Sequence, residues 1–211
     1  MAYMSPTKNL LDKHMRSSIH SFLESTVMQE PDSVRIDELC FRVGTKEGRC
    51  DVVVVNSLLR CFEIKSDGDT NGLERLSKIQ VKLYGQLMDQ LSVIVTPKHL
   101  VSVKRRVPGF WGIYVYEDHA VREVRVPQLN TTTTSRAVAS LLWKDSAVRL
   151  LEHHGIIGAG RKGKDYLHDL ISKTIDPNRI HQAVLLQMLA HRRGEEIHGL
   201  RNQGNRPQRQ V

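Results

Sequence analysis

No run in this chain approaches the ~18–20 apolar residues that a bilayer-spanning helix needs. The opening residues, Met1-Ala-Tyr-Met-Ser-Pro6, lack the apolar core of a secretory signal, so the expectation is a cytoplasmic protein with no membrane partner. Cysteine is scarce. Cys40, Cys50 and Cys61 are odd in number and none lies in a CxxC pair, which argues for small core residues in a reducing compartment and against disulfides or zinc. Ten histidines include no HExxH and no paired zinc spacing, and His153-His154 reads as a solvated helix end. No internal repeat is present.

Charge of one sign is in excess, and unevenly so. Residues 1–135 carry 18 Lys/Arg against 16 Asp/Glu, whereas residues 136–211 carry 13 against 7. The C-terminal third is the better candidate for contact with a polyanion. A chain of 211 residues fits one compact domain and a smaller module. The boundaries expected are a core over 1–129, a linker over 130–135 (Asn130-Thr-Thr-Thr-Thr-Ser135), a basic helical module over 136–193 and a disordered tail over 194–211.

Periodicity places the elements. Ser5-Pro6 opens a helix whose apolar residues Leu11, Met15, Ile19 and Phe22 recur at three and four. Val34 to Val43, 49–55 and 58–65 read as strands, with turns at Gly44–Gly48 and Asn56-Ser57. The consecutive valines 52–55 mark a strand buried on both faces. After a polar loop at 66–72, a helix runs to about Asp89 with Leu73, Leu76, Leu83 and Leu87 inward and Arg75, Lys78 and Lys82 as a basic stripe. A strand at 91–95, a short helix from Pro97 to Lys104-Arg105-Arg106, and strands at 111–116 and 121–126 follow. Helices are expected over 137–152, 166–175 and 180–192. The fold class is α/β with a mixed sheet.

The residues that carry chemistry are Asp51, Glu63 and Lys65. The start of one antiparallel strand lies opposite the end of the next, so these three can meet. Glu63 and Lys65, two apart, share a strand face, and Asp51 can join it by even spacing from Val53 and Val55. Two carboxylates and an ammonium at one sheet end suit a hard divalent cation and an activated water. The bland alternative is a surface ion-pair cluster. The apolar runs around it argue against that, because charges at the end of a buried sheet need partners.

With these motifs in place, the chain resembles the PD-(D/E)xK nuclease superfamily. That core is a helix, a three-stranded meander, a crossover helix and a further strand. Its acid matches Asp51 and its Glu-x-Lys matches Glu63-Ile64-Lys65. The Gln-x-x-x-Tyr motif of RecB-type members matches Gln80 to Tyr84. A closer likeness is to a small bacterial family in the superfamily. It rests on Glu38-Leu39, Arg49-Cys50-Asp51, Glu63 through Thr70, Arg75-Leu76, Gln80 to Tyr84, Pro108-Gly-Phe-Trp111-Gly112 and, more weakly, Leu142 to Asp145. Cys50 stands where the superfamily customarily has Pro.

The resemblance implies a restriction-endonuclease-like mixed sheet flanked by helices, here with a C-terminal helical module. It implies a deoxyribonuclease dependent on Mg²⁺ or Mn²⁺, with Asp51, Glu63 and the Ile64 carbonyl as ligands and Lys65 orienting the nucleophile. Glu38 extends the metal site, with Asp37 as competitor, and Gln80 and Tyr84 position the phosphate or the water. DNA is the expected partner, RNA is left open, and a homodimer is compatible with the class. Lys104, Arg105 and Arg106, with Arg161, Lys162 and Lys164, are added to the stripe on residues 75–82 as phosphate contacts. The rival reading is a non-catalytic nucleic-acid-binding protein on the same fold. A transcription regulator lacks a clear recognition helix.

Two other motifs are decoys. Asp67-Gly-Asp69-Thr-Asn71-Gly72 imitates half an EF-hand loop, but its twelfth position is Lys78 where a Glu is required. It reads as a loop capping the next helix through Asn71 and Glu74. Gly158-Ala-Gly-Arg-Lys-Gly163-Lys164 fits GxxxxGK, but Asp165 stands where Ser or Thr should ligate Mg²⁺ and no strand precedes it. Trp111 and Trp143 are expected in the core.

Overall fold

The structure, a computed structural model, describes residues 6–67, 76 and 78–192, with side chains over 14–67, 76 and 80–191. Helix α1 (Pro6–Thr26) leads into strands β1 (Val34–Val43), β2 (Lys46–Val55) and β3 (Leu59–Lys65). Helix α2 (Lys78–Gly85), β4 (Gln90–Val95), α3 (Pro97–Arg106), β5 (Gly112–Glu117) and β6 (Ala120–Arg125) complete the sheet layer. Helices α4 (Ser135–Ala139), α5 (Lys144–His153), α6 (Lys164–Thr174) and α7 (Pro177–Arg192) follow. The sheet has six strands in the order β1-β2-β3-β4-β5-β6. Pairs β1–β2, β2–β3 and β5–β6 are antiparallel, while β3–β4 and β4–β5 are parallel. The fold is mixed α/β, a sheet flanked by helices. Among the described residues no helix is long and apolar enough to cross a membrane.

Local chemistry sets the joints. Val43 pairs with Lys46 across Gly44-Thr45, and Gly44 has φ +60° while Thr45 stays at negative φ. A Gly-X loop with positive φ at its first residue matches the twist of a hairpin. At the next turn Asn56 Oδ1 accepts from the Leu58 amide at 3.1 Å and Glu30 accepts from the Ser57 amide at 3.0 Å, so side chains replace the missing ladder partners.

The two sheet faces are packed by different helices. Val52, Val54, Phe62, Ile64, Ile94 and Tyr114 meet Met15, Ile19 and Leu23 of α1. The opposite face, with Val53, Val55, Cys61, Val93, Val95 and Ile113, meets Leu83 and Tyr84 of α2, Val103 of α3 and apolar residues of all four C-terminal helices in one continuous core. Burial of both faces explains the unbroken valines. Cys50 and Cys61 are buried here and Cys40 is exposed.

The C-terminal helices are therefore part of the same core and not a separately packed module. The segment 130–135, expected as a linker, is a fastened strap. Asn130 Nδ2 donates to the carbonyls of Gly85 and Met88, both at 2.7 Å, and the Thr134 amide donates to Gln86. Helix α2 ends at Gly85 and does not continue to Asp89, because Asp89 has another use. Its Oδ2 accepts from the Leu59 amide at 2.7 Å and from His181 of α7 at 2.7 Å. The helix expected over 137–152 is also broken, at Ser140–Trp143. Two buried side chains satisfy the backbone freed there. Gln187 donates to the Leu141 carbonyl and accepts from the Trp143 amide, and His168 Nε2 donates to the Leu142 carbonyl. With those partners the break costs little. The tail over 194–211 lies outside the described residues.

The Asp89 bond raises the pKa of His181 against the opposing effect of burial. A raised folded pKa means the contribution is full below the unfolded value of 6.5 and is lost as pH rises through the folded one. We expect His181→Gln to cost roughly 1.5 kcal/mol in urea unfolding at pH 6, with the gap from wild type closing as pH is raised. A gap independent of pH would contradict this.

Candidate active site at the open end of the second and third strands

Sheet pairing opens at the site. Cross-strand partners of β1 and β2 run to Asp37–Val52 and resume at Leu39–Cys50, leaving Glu38 and Asp51 between them. Glu38 has φ +55°. Cys50 packs with Val53 and Val55, so side-chain alternation slips by one residue at Asp51. Pairing of β2 with β3 likewise stops at Val52–Phe62. The expectation that Asp51 simply shares the face of Val53 is corrected here. Its Oδ2 accepts from the Ile64 amide at 2.8 Å, replacing the carbonyl that a continued ladder would have offered.

Glu63 and Lys65 follow Cys61 on the face toward α2. Lys65 Nζ donates to Glu63 Oε1 at 2.6 Å, with side-chain exposures of 7% and 4%. Tyr84 of α2 donates to the Arg49 carbonyl at 2.6 Å and sits 3.3 Å from Glu63 Oε2. Burial first, and then the negative charge of Asp51, raises the Glu63 pKa from 4.5 to about 7 against the lowering effect of Lys65. Burial and the same carboxylates push the Tyr84 phenol up, which keeps it a neutral donor. Asp51, Glu63, Lys65 and Tyr84 thus converge as expected. Gln80 is half-buried, one helical turn before Tyr84.

Sequence reading missed two cations. Arg16 of α1 lies 4.0 Å from Asp51 Oδ1 and 3.7 Å from Glu38 Oε1, bridging the two acids. Arg49 pairs with Glu38 at 3.2 Å. Glu38 therefore shares a cation with Asp51, while Asp37 pairs with His20 at 3.3 Å and Arg35 at 3.5 Å. Arg49, two residues before Asp51, was visible in the Arg-Cys-Asp string. Nothing in the periodicity of α1 marks Arg16.

The other sequence-predicted contacts scatter. Lys82, Lys104, Arg105, Arg106, Arg161 and Lys162 are exposed, and Lys164 is half-exposed. Arg75 and the side chain of Lys78 lie outside the described residues, as does most of the loop that imitates an EF-hand. Asp67, at its start, accepts from the Thr96 hydroxyl and stands 3.7 Å from His99. The GxxxxGK segment forms a short 3₁₀ turn, Ala159–Arg161, between helices. Trp111 is fully buried, and Trp143 is half-buried with its ring crossing that of His191 at 79°. A cavity of about 800 Å³ lies between the β1–β2 hairpin and the C-terminal helices, lined by Arg49 and Trp143 but not by Asp51, Glu63 or Lys65.

Among the described residues no group of three or more His, Cys, Asp and Glu gathers as a metal cluster. The oxygen groups that interact here are the Asp51 and Glu63 carboxylates. They fit a hard cation in one respect. The charge of Asp51 works against ionisation of Glu63, and two carboxylates that repel one another suit a hard cation.

The chain belongs to the bacteriophage P4 protein cII family, whose sequence profile matches residues 5–208. It is 25% identical over 158 residues to protein cII of Enterobacteria phage P4, a match covering 73% of this chain and 58% of that protein. The chain thus spans 58% of the length of the curated relative it matches. A solved protein of unknown function from Silicibacter pomeroyi superposes with a TM-score of 0.43 at 16% identity, covering 71% of this chain and 94% of that one.

Because the folded pKa of Glu63 lies above the unfolded 4.5, its contribution to stability is full below 4.5 and lost as pH rises through about 7. Lys65→Met leaves the ionised carboxylate buried without its cation. We expect a loss of about 3–5 kcal/mol in urea unfolding of metal-free protein at pH 8 and a clearly smaller one at pH 5.5, where Glu63 carries a proton. Equal losses at both pH values would mean that the pair is not electrostatically coupled.

Proposed function

We propose that this member of the family is a metal-dependent nuclease of the PD-(D/E)xK type that hydrolyses DNA phosphodiester bonds. One observation carries the reading. Pairing of β2 and β3 stops at Val52–Phe62, and the gap gathers Asp51, Glu63 and Lys65. The element order, helix then three-stranded meander then helix then strand, agrees with what the resemblance implies.

In this reading Asp51, Glu63 and the Ile64 carbonyl would hold Mg²⁺ or Mn²⁺, and Glu38 would extend the set. When bound, such an ion supplies Lewis acidity and an acidified water. The chain does the rest. Lys65 sits on Glu63 and offers an ammonium to a phosphate oxygen or to the nucleophile. Tyr84 fixes the second oxygen of Glu63. Arg16, shared by Asp51 and Glu38, offsets their mutual repulsion and stands ready for the phosphate. Restriction, repair and mobile-element defence all use this chemistry.

The burial of Glu63 and Lys65 favours the rival, a protein that binds nucleic acid and leaves it intact. Incubation of the full chain with Mg²⁺ or Mn²⁺ and linear, circular, nicked and forked DNAs separates the two. The expected outcome is metal-dependent cleavage of at least one substrate, reduced about 10²–10³-fold by Asp51→Ala or Lys65→Ala. Cleavage undiminished in both variants, or none with any substrate, would sink the nuclease.

A further inference from the structure

We infer that the cleft between the β1–β2 hairpin, the Ser140–Trp143 connection and helices α6 and α7 receives a single strand of nucleic acid, stacked at Trp143. The inference rests on the nuclease reading and names its substrate as single-stranded DNA or the unpaired arm of a branched one.

Size selects the strand. At about 800 Å³ the cleft lies within the range of cavities that enclose a ligand. That volume has room for a few nucleotides of one strand and not for a paired segment of the same length. The walls are amphipathic. Phe41 and Trp143 supply ring surface, with Arg42 and Arg49 on the hairpin side and Lys164 on the helical side. Trp143 and His191 cross at 79° with centroids 4.9 Å apart, so they do not stack face to face. An indole so placed offers a surface to a base, and stacking of that kind tolerates any sequence.

The cations are available on exchange. Arg42 and Arg49 are about half-exposed and pair at 3.3 and 3.2 Å with Asp165 and Glu38. Such rim pairs are worth little in water, and a phosphate replaces a carboxylate on a guanidinium without loss of geometry. Two acids among the lining residues, Glu47 and Asp165, oppose a strand here, and Arg136 also pairs with Asp165 at 3.5 Å.

Continuity with the site fixes the direction. Arg49 lines the cleft, and its carbonyl holds the Tyr84 hydroxyl that touches Glu63. Phe41, on the cleft floor, meets Tyr84 edge-on with centroids 5.7 Å apart. Gly48 permits this, because a Cβ there would come within 2.5 Å of the Phe41 ring. Tyr84 is itself buried, and the exposed route from the acids into the cleft runs past Glu38 and the guanidinium of Arg49.

The test uses the two tryptophans of the chain, of which Trp111 is fully buried and Trp143 lines the cleft. Full chain in EDTA is titrated with oligothymidylate and with a hairpin duplex of equal phosphate count. Tryptophan emission and the anisotropy of labelled DNA are followed together. Oligothymidylate should quench saturably and bind more tightly than the duplex. Trp143→Phe should abolish the quench, and Trp143→Ala should weaken binding about 5–150-fold. Arg42→Ala and Lys164→Ala should each lower the salt dependence by about one ion. Three results would overturn the inference: anisotropy showing bound oligothymidylate with unchanged emission, full affinity in a natively folded Trp143→Ala protein, or equal quenching by the duplex. Cleavage of DNA without a quench removes the cleft and keeps the nuclease. A quench without metal-supported cleavage of any substrate removes the nuclease and keeps the cleft.

Discussion

The bond from the Ile64 amide to the Asp51 carboxylate is the constraint on which the rest of the arrangement depends. A sheet that simply continued would pair β2 with β3 past Val52 and consume the backbone of Ile64. The slip at Asp51 ends that pairing, and a side-chain oxygen takes over the orphaned N–H. The strands can then part while the Ile64 N–H keeps a partner. What opens is a gap walled by acids, at the end of central strands that bury apolar residues on both faces.

Charge in that gap is held in balance by contacts from separate parts of the chain. Lys65 neutralises Glu63 from the same strand, Tyr84 reaches the second oxygen from α2, and Arg16 bridges Asp51 and Glu38 from α1. The two helices lie on opposite faces of the sheet. The site therefore exists only when both layers are packed, and the strap at Asn130 with the Asp89–His181 contact ties the C-terminal helices to the same frame. A carboxylate whose pKa is raised to about 7 is the consequence of placing it between a second acid and an apolar wall.

Much of this was legible in the sequence because it is local. The period of α1, the valines 52–55, the glycine of the first hairpin and the prolines at 97 and 108 each mark an element, although β2 begins at Lys46, three residues before the 49–55 expected, because the hairpin turn is only Gly44-Thr45. The Asp51, Glu63 and Lys65 set was legible through its spacing. What could not be read depends on distant partners. The break at Ser140–Trp143 carries no glycine or proline and is sustained by Gln187 and His168 from later helices. The threonines 131–134 look like a linker until Asn130 and Thr134 are seen bonded to the end of α2. Arg16 belongs to the site only because α1 crosses the open end of β2. The slip at Asp51, which inverts the simple alternation argument, has no signature of its own in the string.

The most direct test of the central claim is isothermal titration of Mn²⁺ into the metal-free full chain and its Glu63→Gln variant at pH 8. The account predicts a saturable site in the wild type that is lost or weakened at least about tenfold in the variant. Identical isotherms for the two proteins would contradict it.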